Sequence, residues 1–174
     1  MNKSIAAWHR LKPLNLKLCS LVLFVCVFIT SGRVMAVDVN ISAVSNLEDD
    51  GRTSRNSHAV IILYFSAPDC RYCMKLEDAV LNPMLRSSDY DKQVLLRKVD
   101  WRSPAIVHGF LGQRISLHSL AERYAVKVTP TLVFVDPNGR EVAPRILGFQ
   151  SADFFWYYLD RNIEQSRLVI GRDL

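Results

Sequence analysis

The chain has 174 residues, 49% of them hydrophobic and 22% charged, with a formal charge of +5. That charge is local. Of the 22 Lys and Arg, five (Lys3, Arg10, Lys12, Lys17 and Arg33) lie in the first 36 residues beside no acid, leaving 17 bases against 17 acids. The neutral remainder has no basic run longer than Arg97-Lys98, which excludes a nucleic-acid partner, and its 138 residues make one domain.

The first element is a leader. Residues 1–17 are basic, and residues 18–32 hold no charge and are dominated by Leu, Val, Phe and Cys. Arg33 follows, then Val34-Met35-Ala36, with Val and Ala at the positions a signal peptidase reads. Residues 1–36 are therefore expected to be a secretory signal cut between Ala36 and Val37. Its fifteen-residue apolar stretch is short for a spanning helix of roughly twenty, and an uncleaved membrane anchor is the alternative. Cys19 and Cys26 leave with this segment.

Residues 37–57 read as an edge strand, Val37–Val44, and a polar linker in which Asn46–Ser57 forms a short helix or loop; the domain proper is placed at 58–174. Ala59–Phe65 is a continuous apolar run of the kind buried on both faces of a central strand. From Cys70 to Leu81 the spacing of Met74, Leu76, Ala79, Val80 and Leu81 predicts a helix, broken by Asn82-Pro83 with Asn82 as a cap and Pro83 at the first position of a further turn. Val94–Val99 reads as a strand, Trp101–Ile115 as an insertion, and Ser116–Tyr124 as a short helix capped by Ser116. Thr131–Val135 is a strand ending in the turn signal Asp136-Pro137-Asn138-Gly139, and Glu141–Leu147 pairs back as a hairpin. Ser151 caps a last helix in which Phe154, Phe155, Tyr158, Leu159 and Ile163 recur at three- and four-residue spacing, with Trp156 and Tyr157 outward. Helices separated by strands imply an α/β fold with helices over both faces of one mixed sheet.

Cys70-Arg71-Tyr72-Cys73 follows the buried run and opens a helix. Unpaired N–H groups and a partial positive charge at a helix start favour a thiolate. Two intervening residues let the second thiol attack a mixed disulfide held on the first. A structural staple closing so short a loop adds little stability. Half of a zinc site would need two more ligands, and only His58, His108 and His118 remain, without metal-site spacing. Redox chemistry is the favoured reading, with no metal and no cofactor.

Val128-Thr129-Pro130-Thr131 stands just before an apolar strand, where Pro130 either simply opens the strand or belongs to the site. The C-x-x-C after a central strand, a T-P-T about sixty residues later, a D-x-x-G hairpin and Gly148 before the final helix together resemble the thioredoxin superfamily over roughly residues 58–165. Leu120–Asp136 is similar to SoxW-like periplasmic thioredoxins, and Cys70–Glu77 to the C-terminal thioredoxin-like domain of the DsbD reductase. The resemblance implies a thioredoxin fold, Cys70 as attacking thiol, Cys73 as resolving thiol and a redox-active disulfide between them. It further implies Pro130 as a cis proline beside the pair, with Thr129 ahead of it facing a bound peptide.

Three positions depart from cytoplasmic thioredoxin. Asp69 replaces a Trp, Arg71-Tyr72 replace Gly-Pro, and Tyr64 stands where that protein keeps a buried aspartate as proton acceptor. Glu77, one turn after Cys73, is the candidate replacement base; the alternative is a surface glutamate in a salt link. Arg71 either stabilises the Cys70 thiolate or biases docking, and Tyr72 is expected to dock substrate. The 101–115 insertion is either a lid over the site or a packed surface loop.

The resulting expectation is a periplasmic thiol–disulfide oxidoreductase that reduces protein disulfides and is re-reduced by a membrane thiol donor such as a DsbD-like reductase. The alternatives are a disulfide oxidase or isomerase, or a non-enzymatic module: a metal carrier or a thioredoxin-fold adaptor.

Overall fold

The apolar run after His58 becomes strand β1, Val60–Ser66, in which every residue is buried. Such a strand must lie inside a sheet covered on both faces. The structure, a computed structural model, describes residues 40–173. In it β1 pairs in parallel with β2 (Val94–Asp100) and antiparallel with β5 (Thr131–Val135), which pairs antiparallel with β6 (Glu141–Leu147). The sheet order is β2-β1-β5-β6. This is the mixed sheet and α/β thioredoxin architecture expected from the sequence.

Side-chain alternation along β1 sorts two cores. Ile62 and Tyr64 join the core built with Leu76, Val80, Leu81, Met84, Phe155, Leu159 and Ile163. Ile61, Leu63 and Phe65 face the other, with Leu47, Phe110, Leu117 and Leu120. Helices therefore cover both faces: α2 (Arg71–Leu76), α3 (Asn82–Arg86) and α5 (Ala152–Asp173) on one, α1 (Leu47–Ser57) and α4 (Leu117–Arg123) on the other.

Several elements differ from expectation. The signal segment and the start of the Val37–Val44 strand lie outside the described residues. Within the described part, Ala43 makes an isolated bridge to Lys98 instead of forming a strand, held by Lys98 N–H to Ser42 O and Val44 N–H to Lys98 O. Asn46–Ser57 takes the helical of its two expected forms: Asn46 accepts from the amides of Glu48 and Asp49, starting the eleven-residue α1. Asp50 anchors α1 to β2 through a fork of hydrogen bonds from Arg97, 2.6 to 3.0 Å long.

The further turn expected from Pro83 is present, but no break separates it from the helix after Cys70. That helix widens into a π-helical turn, Glu77–Leu81, in which the Asn82 N–H bonds the Glu77 carbonyl, and runs on as α3. Pro83 has no N–H to give and its ring crowds a preceding carbonyl, and the wider turn accommodates both. Asn82 is helical and caps nothing by its side chain. The insertion folds as a small hairpin of β3 (Ile106–His108) and β4 (Arg114–Ser116), with Phe110 buried against Gly139. On α5, Phe154 and Tyr157 are exposed, whereas Trp156 is half-buried near Tyr90. The buried stripe runs Phe155, Leu159, Ile163, Ser166 and Ile170, which turns Phe154 outward in place of Trp156. Pro144 lies in β6, the outer strand, and its carbonyl accepts from the buried Asn162 amide at 2.7 Å.

Candidate redox site

Cys70 is the N-cap of α2, and the Cys73 amide points at its sulfur, 3.1 Å away. This is the contact by which a helix start favours a sulfur anion over a thiol. The two cysteines form a disulfide with their Cα atoms 5.1 Å apart. Cys70 is half-exposed and Cys73 is buried, so an incoming disulfide meets Cys70 first.

Cys70 sits in an open cleft of about 360 Å³ lined also by Ala67, Asp69, Arg71, Tyr72, Trp101, Arg102 and Thr129. The Thr129–Pro130 peptide is cis, Pro130 is buried, and the Gly148 amide donates to its carbonyl at 2.8 Å. Arg71 and Tyr72 are exposed, and Arg71 makes no hydrogen bond or ion pair among the described residues. Asp69 faces Arg102 at 3.4 Å, an exposed pair of little energetic weight.

Glu77 is half-buried behind Cys73. Its Oε1 accepts from the Tyr64 hydroxyl and from Lys98 Nζ, each at 2.7 Å. Glu77 is thus in a salt link, as one reading held, and it also shares a cleft of about 170 Å³ with Cys73, Lys98 and Asp100. Burial first, and then the bond to Glu77, push the Tyr64 phenol well above its ordinary range. It remains a hydroxyl at any working pH.

Lys98 and Arg102 carry no sequence signal as site residues, and Trp101 is expected there only as part of an insertion that could flank the site. Lys98 is the register partner of Tyr64 across β1 and β2, a signal available only once the strands are aligned. Trp101 and Arg102 belong to the inserted segment, which brings its first two residues to the cleft. Among the described residues no helix is long and apolar enough to cross a membrane, and no three His, Cys, Asp or Glu are grouped to hold a metal ion.

A disulfide capping a helix at the edge of a doubly covered mixed sheet, with a buried proline loop across the cleft, defines a class: thiol–disulfide oxidoreductases of the thioredoxin fold. Residues 47–163 match the family described as the thioredoxin-like domain, and the chain belongs to that family. The disulfide bond reductase DsbH of Chlamydia pneumoniae is 32% identical over 100 residues, 56% of this chain and 57% of that protein. The chain thus spans little more than half the length of that relative. Among solved structures, a thioredoxin of Malassezia sympodialis has a TM-score of 0.50 and 17% identity, covering 71% of this chain and 91% of that one. The periplasmic thioredoxin SoxS of Paracoccus pantotrophus, in reduced form, has 24% identity and a TM-score of 0.43, covering 62% of this chain and 98% of that one.

Proposed function

We propose that this protein is a periplasmic reductant of protein disulfides, carried across the membrane by residues 1–36 as a secretory signal, with the folded domain following it. The reading rests on one observation above the others: Cys70 is half-exposed at a helix start while its partner Cys73 is buried with a carboxylate one turn behind. The relative DsbH is by name a disulfide bond reductase, which favours the reductive direction. Nothing in the basic leader or the neutral domain favours another compartment.

In this mechanism the Cys70 thiolate attacks one sulfur of a substrate disulfide, and the other substrate sulfur leaves as a thiolate. Cys73 gives its proton to Glu77 and attacks Cys70, breaking the mixed disulfide and releasing the second substrate thiolate. The substrate gains two electrons and Cys70–Cys73 is oxidised. A membrane thiol donor of the DsbD kind then returns the pair to its reduced form. Thr129 and Pro130 form the docking wall for an extended peptide, with Tyr72 supplying apolar contact and Arg71 a charge at the rim.

The test is reduction of insulin with dithiothreitol as donor. The wild-type protein accelerates it and Cys70→Ser abolishes the acceleration. A Cys70→Ser protein with wild-type turnover overturns the proposal.

A further inference from the structure

Tyr64 occupies the centre of β1 with no exposure at all, yet it ends in a hydroxyl. That hydroxyl and the Lys98 ammonium converge on the same atom, Glu77 Oε1, at 2.7 Å each. Among the described residues no hydrogen bond reaches Oε2. We propose that Tyr64 is a positioning residue for the resolving step: with Lys98 it pins one oxygen of Glu77 and leaves Oε2 to receive the Cys73 proton. This rests on the reading of Glu77 as proton acceptor.

The geometry explains why two donors are needed. The terminal torsion of a glutamate is broad and nearly two-fold. A carboxylate held by Lys98 alone can swing so that both oxygens share the ammonium, and neither is then committed to Cys73. The tyrosine approaches from β1 and the lysine from β2, so together they fix the carboxylate plane. Tyr64 cannot itself take the proton, since burial and the bond to Glu77 keep its phenol protonated.

The other groups around this carboxylate are few. Asp100 from β2, Ser66 from β1 and Cys73 from α2 line the same small cleft. The helix α5, packed on the π-helical turn, contributes Phe155 and Leu159 to the core there. Pro68 and Met74, both exposed, complete its lining, so a proton on the carboxylate lies close to solvent after each cycle.

The Cys73 S–H proton passes to Oε2. The sulfur lone pair forms the Cys70–Cys73 bond, and the Cys70–substrate bond breaks with its electron pair on the substrate sulfur.

One equivalent of dithiobis(nitrobenzoate) separates the two steps, because the first nitrothiobenzoate released reports Cys70 attack and the second reports resolution by Cys73. Tyr64→Phe is expected to slow the second phase about tenfold, as a displaced base does, while Glu77→Gln slows it about a hundredfold. The first phase is the internal control in both variants. Placing 4-aminophenylalanine at position 64 restores an N–H donor in the hydroxyl's place and should recover the second phase.

If Glu77→Gln slows the second phase and Tyr64→Phe leaves it unchanged, the inference about Tyr64 falls and the reading of Glu77 stands. If Glu77→Gln leaves the second phase unchanged, both fall together. Equal slowing of both phases in Tyr64→Phe, with a lowered melting temperature and no recovery by the amino analogue, would make Tyr64 a core residue only.

Discussion

Gly51 of α1 faces the carbonyl oxygen of Pro137 so closely that a β-carbon on Gly51 would stand 2.4 Å from it. The oxygen belongs to the backbone of the turn between β5 and β6, so no side-chain rotation relieves the overlap. A glycine inside a helix ordinarily destabilises it by about 1 kcal/mol relative to alanine. Here it lets the helix lie directly on the turn, where Arg55 also reaches Asn138 at 3.2 Å.

Gly51→Ala should accordingly lower stability by about 1–3 kcal/mol, as overpacking does, in spite of the better helix former. Urea unfolding of the two proteins checks this, and a stabilised variant would show that α1 lifts off the turn at little cost.

Cys73→Ser should trap substrates on Cys70, because the first attack survives and the resolving attack is lost. Non-reducing gels of a periplasmic extract incubated with this variant should show adducts that dithiothreitol removes. No adducts, with Cys70 still open to alkylation, would favour a binding module over a reductant.

Trp101 lines the cleft beside Cys70, and a disulfide near an indole quenches its emission. Reduction should therefore raise the protein's tryptophan fluorescence, and Trp101→Phe should remove that rise while Trp156 continues to emit. A rise of the same size in the variant would mean that the segment from Trp101 stands away from the pair in solution.

High pH should destabilise the fold through its phenols. Burial is the main cause that pushes Tyr64 and Tyr124 above the ordinary range. Tyr90 is pushed up to about 12, by burial and then by donating to Asp160. In the unfolded chain these groups ionise near 10. The folded state holds its protons to higher pH than the unfolded state, so stability falls once pH passes about 10 and continues to fall up to the folded values. Urea midpoints measured at pH 9, 10 and 11 should decrease in order, and the decrease should be smaller in Tyr90→Phe. A midpoint constant across that range would show that these hydroxyls are solvated.

The legible parts of the sequence were those specified by nearby residues. Ala59–Phe65 could be assigned because a strand buried on both faces needs no partner to be recognised. Ser116 capping α4 and the Asp136–Gly139 turn carry their signals within four residues, and Thr131–Val135 followed from that turn. The Cys70 cap was similarly visible, because helix start and reactive pair coincide. Lys98 was illegible because its role depends on β2 lying in register beside Tyr64. The π-helical turn was illegible because a wider turn and an ordinary one share the same apolar spacing until Pro83 enforces the difference. Phe154 and Trp156 exchanged places for a related reason: five consecutive aromatics, Phe154 to Tyr158, offer two almost equivalent stripes, and only contact with Tyr90 and the sheet selects one.

The two borders of the sheet have a consequence for how another chain can approach it. An unprotected border strand offers a row of free amides and carbonyls onto which another chain can add. Along β2, Lys98 already gives its amide and its carbonyl to Ser42 and Val44. Along β6, Pro144 has no amide to offer and its carbonyl is held by Asn162. At these points a second chain finds no run of free amides and carbonyls to extend. The fold thereby guards its sheet against edge-to-edge growth while leaving the Cys70 cleft open.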